Sequence, residues 1–124
     1  MAQVLEGKHG RGHFIASEGN GRISRVTGIL AEGENLEAGT ILAKDGDGKY
    51  VQLDHTANDG TEVVAGILLD NVNATDADAE IVVLDYHAEV TADALVYPDG
   101  VNAGDIADIN ADLFDELKIR VRDN

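Results

Sequence analysis

Gly39-Thr40-Ile41-Leu42-Ala43-Lys44, then Asp45-Gly46-Asp47-Gly48, then Lys49-Tyr50-Val51-Gln52-Leu53-Asp54 form the stretch whose reading decides the fold. Two β-rich runs around a short Asp/Gly segment predict a hairpin, because Gly and Asp tolerate the positive φ angles of a close reversal. Alternation then places Val51 and Leu53 on one face and Tyr50, Gln52 and Asp54 on the other. Downstream, Val63-Val64-Ala65-Gly66-Ile67-Leu68-Leu69 and Ile81-Val82-Val83-Leu84 are apolar on successive residues. That pattern suits strands covered on both faces, by packing or by a neighbouring subunit.

Outward from this core, Ile23 to Leu30 has strand composition, and Ala31-Glu32-Gly33-Glu34-Asn35 is a polar turn. Turn-forming segments at His55 to Gly60 and at Asp70 to Asp78 separate the apolar runs. The strand beginning at Ile81 is expected to continue through Asp85-Tyr86-His87-Ala88-Glu89-Val90. Pro98-Asp99-Gly100 marks a stop, after which the period changes. Ile106, Ile109, Leu113 and Leu117 are spaced as one face of an amphipathic helix, with Asn102 able to cap it and Asp105 at the positive end of its dipole. Lys118-Ile119-Arg120-Val121-Arg122 alternates and predicts a short last strand. The fold class is therefore mainly β with one C-terminal amphipathic α-helix. Residues 1–22 hold five glycines and few branched residues, too little apolar surface to offset the entropy of ordering, so they read as a flexible arm that a partner would have to order. Residues 23–124 read as a single β-rich domain.

With 124 residues the chain suits one domain that folds without staples. It has no cysteine, which excludes disulfides, thiolate catalysis and Cys-ligated zinc. No apolar run reaches signal-peptide or membrane-span length, so a soluble protein made without an export signal is expected. The net charge of −15 is unevenly spread. Residues 1–25 carry Lys8, Arg11, Arg22 and Arg25 against Glu6 and Glu18; residues 26–117 carry 21 acids against Lys44 and Lys49. Residues 118–124 carry Lys118, Arg120 and Arg122 against Asp123. An acidic body of this kind repels bare nucleic acid.

Motifs that carry chemistry are missing their contexts. His9 and His13 are four apart, as on a metal-binding helix face, but Gly10 and Gly12 oppose a helix there. His55 falls in a loop and His87 late in a strand. Asp45-Gly46-Asp47-Gly48 departs from a calcium loop, because Lys49 and Tyr50 replace the oxygen donor and the glycine that the loop needs. Ser17 and Ser24 are the only serines, neither in a Gly-x-Ser-x-Gly elbow, and no phosphate-cradling loop is present. Neither enzyme, cofactor nor metal is expected. Two other readings are an acidic DNA-mimic inhibitor, which would occupy a basic groove on a nuclease or repressor, and a module binding a small ligand in a concave pocket.

The succession His13-Phe14-Ile15-Ala16-Ser17-Glu18, Ser24-Arg25, Leu36 to Ala43, Gly48-Lys49-Tyr50-Val51, Asp59-Gly60, Ala65-Gly66-Ile67-Leu68, Ala88-Glu89-Val90 and Ile119-Arg120-Val121-Arg122 resembles the head decoration protein D family of tailed bacteriophages. The resemblance implies a β-clip, or β-tulip, domain that forms a homotrimer. It would sit on the outer surface of the expanded capsid at three-fold and quasi-three-fold positions, as a cement resisting internal DNA pressure. The partner implied is the major capsid protein, with no direct nucleic-acid or membrane partner, and the location is the virion after synthesis in the bacterial host cytoplasm. Arm residues Val4, Leu5, His13, Phe14 and Ile15 would then contact the capsid, with Phe14 and Ile15 as apolar anchors.

Overall fold

The computed structural model describes the backbone of residues 15–18 and residues 24–122. In chain order it comprises β1 (Ile15–Glu18), β2 (Arg25–Leu30), β3 (Glu34–Leu36), β4 (Ile41–Lys44), β5 (Tyr50–Gln52), β6 (Gly66–Leu68), β7 (Val72–Ala74), β8 (Ala79–Leu84), β9 (Ala88–Thr91), a 3-10 turn (Ala92–Ala94), α1 (Ala103–Leu117) and β10 (Ile119–Arg122). The protein is mainly β with a single C-terminal helix.

The expected hairpin is formed by β4 and β5, paired antiparallel with Lys44 opposite Tyr50 and Leu42 opposite Gln52. Its turn is held by the Asp45 carboxylate, whose Oδ1 accepts from the N–H groups of Asp47 at 2.8 Å and Lys49 at 3.0 Å. Gly48 takes φ 82°, which a side chain would resist. The hairpin is one wall of a closed barrel with strand order β2-β5-β4-β6-β8. Closure comes from the antiparallel pairing of β2 with β8, continuous from Arg25–Leu84 to Leu30–Ala79.

Alternation along the strands separates two apolar clusters. Leu30, Leu42, Tyr50, Leu68, Ile81 and Val83, drawn from all five strands, fill one cluster inside the barrel. Ile41, Ala43, Ile67 and Leu84 point the other way and meet Val90, Ile109, Leu113 and Ile119. The two faces of the hairpin divide as expected, with Leu53 and Val51 in the helix-side cluster and Tyr50 inside the barrel. The Tyr50 face is thus a second core. Each fully buried Leu or Ile contributes about 1.5–3 kcal/mol, so small aliphatic residues suffice where aromatic ones are few.

A barrel this narrow holds a tyrosine only where its neighbours lack side chains. A Cβ on Gly28 would overlap the Tyr50 ring, and one on Gly66 would overlap Cγ1 of Val83. Both glycines sit two residues from interior leucines on their strands, so they share the inward face.

The helix is also formed as its spacing predicts. Asn102 is its N-cap: Oδ1 accepts from the Asp105 N–H at 2.8 Å, while Asp105 Oδ2 accepts from the Asn102 N–H at 3.2 Å. Ile109 and Leu113 are fully buried, and Ile106 and Leu117 partly so. Lys118 ends the helix in the left-handed region at φ 57°, its N–H reaching the carbonyls of Leu113 and Phe114.

Three segments differ from the sequence-based expectation. The strand from Ile81 stops at Leu84, bends over Asp85 to His87, and resumes as β9 in another sheet. His87 takes φ 55° there. The bend is pinned when Asp85 N–H donates to the Ser24 carbonyl at 2.9 Å and Ser24 Oγ donates to the His87 carbonyl at 3.2 Å. Second, the polar segments around Asn35 and Asn73 contain β3 and β7, which pair antiparallel as a two-stranded ribbon. Third, Ile15 to Glu18, within the stretch read as arm, form β1. It pairs antiparallel with β9, Ile15 opposite Val90 and Glu18 opposite Ala88, across a register shift between Ile15 and Ser17. On the other side of β9 lies β10, parallel to it, giving a sheet of order β1-β9-β10.

Candidate functional site

Of the residues expected to touch a partner, Ile15 is the one whose backbone is described, at the start of β1. Val4, Leu5, His13 and Phe14 lie outside the described residues. The N-terminal segment thus runs directly into an edge strand of the β1-β9-β10 sheet. An edge strand presents unpaired N–H and C=O groups on one side, the feature that strand addition uses.

At the opposite edge, β10 alternates in burial: Ile119 is buried, Val121 partly so, and Arg120 and Arg122 are exposed. Arg122 Nη1 lies 3.0 Å from Glu89 Oε1 on the neighbouring strand. Lys118 Nζ and the Arg120 guanidinium carbon each lie 5.7 Å from the centroid of the Phe114 ring, within cation–π range. Phe114 is itself 44% exposed on α1. Reading the helix by its apolar stripe missed this group, because Phe114 lies off the stripe. The available signal was the spacing from Phe114 to Lys118, which places a ring and a cation one helical turn apart.

A third feature is a groove of about 370 Å³ between the end of β5 and the start of α1. Its walls carry Glu34, Asp54, His55, Asp99 and Asp105. The loop histidine is thus brought against the helix cap: His55 Nε2 lies 3.4 Å from Asp105 Oδ1. Together with Asp108, these residues place one ligand atom each within 4.8 Å of one another, a mixed imidazole and carboxylate set of the kind a borderline metal such as zinc takes rather than a hard cation. The carboxylates have structural work already. Glu34 Oε1 accepts from the Gln52 N–H at 3.1 Å, Asp54 Oδ1 from the Thr56 N–H at 3.2 Å, and Asp105 Oδ2 from Asn102.

Shifted titrations do not gather at this groove. Burial, partly offset by Lys44, holds the Asp85 carboxyl above its ordinary value, and burial does the same to the Tyr50 hydroxyl inside the barrel. On the surface, a hydrogen bond from Lys49 at 2.8 Å pulls Asp78 below its ordinary value, with help from the Glu32 N–H. Bonds from Thr61 do the same to Asp59. The Asp85 charge adds to the rise at Tyr50, which burial causes in the main.

No helix among the described residues is long and apolar enough to cross a membrane. A search of curated proteins finds no match. The family described as bacteriophage lambda head decoration protein D matches residues 4–116, spanning the N-terminal segment, the barrel and nearly all of α1. That family is a structural one of the phage capsid. With a match over most of its length, this chain belongs to the bacteriophage lambda head decoration protein D family.

Proposed function

We propose that this chain is a capsid cement. It forms a homotrimer, seats on the outer surface of the expanded head at three-fold and quasi-three-fold positions, and stabilises the shell against internal DNA pressure. The observation that carries this reading is the extent of the family match, which takes in the N-terminal segment as well as the folded body.

The physical logic is multivalent. Three N-terminal segments on one trimer would each bind weakly, with Val4, Leu5, His13 and Phe14 meeting the major capsid protein and Ile15 leading into β1. Linked binding of this kind raises avidity by roughly 10²–10⁴ when the geometry permits simultaneous engagement. A ligand that binds the expanded shell alone also draws the shell toward that state, by mass action. The protein performs no reaction in this account. Its work is the binding free energy it adds to the shell.

Removing residues 1–14 tests the role of the N-terminal segment and spares β1. The truncated protein is expected to melt as the full chain does, to keep its oligomeric state, and to fail to co-sediment with expanded shells. Coating at the level of the full chain would exclude the segment as the anchor.

A further inference from the structure

The cations of this chain are concentrated at its two ends in sequence, and the C-terminal group falls on and just before β10. Residues 1–25 carry four cations and residues 118–124 three, while the 21 acids of residues 26–117 have only Lys44 and Lys49 beside them. Strand β10 carries Arg120 and Arg122 directly after Lys118 and lies at one edge of the β1-β9-β10 sheet, whereas β1 at the other edge carries no cation. An acidic body with one basic edge has a directed field, which orients its approach to any charged surface.

The pairing of the described cations is informative. Lys49 is held by Asp78 and Arg122 by Glu89. Lys118 and Arg120 make no ion pair with a carboxylate among the described residues, although the chain holds 24 acids. Lys118 Nζ donates to the Asp115 carbonyl at 3.4 Å, and both cations are set against Phe114, which stays 44% exposed. Charges alone would be enough to guard a sheet edge against unwanted strand pairing. A large exposed ring adds nothing to that protection. It does suit an interface, where aromatic and arginine side chains serve as anchors.

We propose that Phe114, Lys118 and Arg120 form a docking surface for a carboxylate-bearing patch on the outer face of the shell protein, a second attachment beside the N-terminal segment. This rests on the capsid-cement reading. Arg120 offers a planar fork of donors that a carboxylate accepts in pairs, and Lys118 offers a point charge. Covering the Phe114 ring excludes water and strengthens both contacts. The acidic remainder of the molecule is repelled by the same patch, so the protein seats with this edge inward.

The test compares the full chain with a Lys118→Glu/Arg120→Glu double variant and with Phe114→Ala, by co-sedimentation with expanded shells over a range of salt. All three side chains are largely at the surface, and circular dichroism melting checks that the fold is kept. A Lys118→Gln/Arg120→Gln variant replaces the charge reversal should that one unfold. The wild type is expected to bind less tightly as salt rises. Charge reversal should weaken binding by about tenfold or more and flatten the salt dependence, and Phe114→Ala should weaken it without flattening. Wild-type coating matched by the charge variants, with the same salt slope, would overturn the docking surface and leave the cement reading standing. Loss of self-association in the variants, with shell binding kept, would assign the face to a second copy and overturn the proposal. Failure of the wild type itself to coat shells would overturn the cement reading, and this inference with it.

Discussion

Among single residues, the least legible from sequence are the two glycines that make room in the barrel, one for Tyr50 and one for Val83. Gly28 and Gly66 look like ordinary strand-weakening glycines until the closed sheet places them against Tyr50 and Val83. Their reason is tertiary, and no local pattern encodes it. Gly28→Ala is expected to lower stability by about 1–3 kcal/mol in chemical denaturation, because the added methyl must displace a packed ring. Adding Tyr50→Leu should make the combined loss smaller than the sum of the two single losses; strict additivity would contradict the contact. The hairpin turn was legible, since Asp45 and Gly48 act through bonds within the turn itself. Asp78 supports a prediction about pH. Its folded-state pKa lies below the ordinary 3.8, chiefly through the Lys49 hydrogen bond, so its contribution is complete above that value and lost as pH falls through the folded value. The same contact raises Lys49 above 10.5, so the contribution is also lost as pH rises through that folded value. Asp78→Ala should therefore lower the melting temperature near neutral pH, with the gap to wild type closing at both extremes. A gap that persists unchanged in strong acid would show that the ion pair is not its source.

At the scale of elements, the helix was readable end to end because its signals are local: the apolar stripe from Ile106 to Leu117, the Asn102 cap and the reciprocal Asp105 carboxylate. Asn102→Ala should cost about 1 kcal/mol in thermal or chemical unfolding, leaving shell binding unchanged. No measurable loss would mean that the capping box contributes nothing to stability. Strands β1 and β9 were less readable. The break between β8 and β9 depends on bonds from Ser24, far away in sequence, and on a positive φ at His87 that its residue type does not demand. Strand β1 is surrounded by glycines and owes its order to pairing with β9 across most of the chain. Local composition therefore reads it as part of an unstructured arm. The ribbon of β3 and β7 was missed for a related reason, since two three-residue strands in polar turns leave no periodicity to detect. The Phe114 cluster was half legible: its ring and Lys118 are one helical turn apart, but Arg120 joins them only because β10 folds back beside the helix.

Over the whole molecule, the uneven charge was visible in the sequence, whereas its arrangement was not. Only the sheet order β1-β9-β10 shows that the basic last strand lies at a sheet edge. The fold class was legible because the apolar runs and one helical stripe are unambiguous, and the closure of the sheet into a barrel was not, because it depends on pairings such as β2 with β8 between distant strands. In the function proposed above, the barrel is a scaffold and its attachments do the work. The central claim is that the protein acts by holding shell subunits together from outside. The most direct measurement is electron cryo-microscopy of mature particles with and without this chain, coupled to their survival under thermal or osmotic stress. The account predicts density for the chain at three-fold surface positions, and rupture of the undecorated particles under milder stress. Particles that bear no such density, or that withstand stress equally well without the protein, would contradict it.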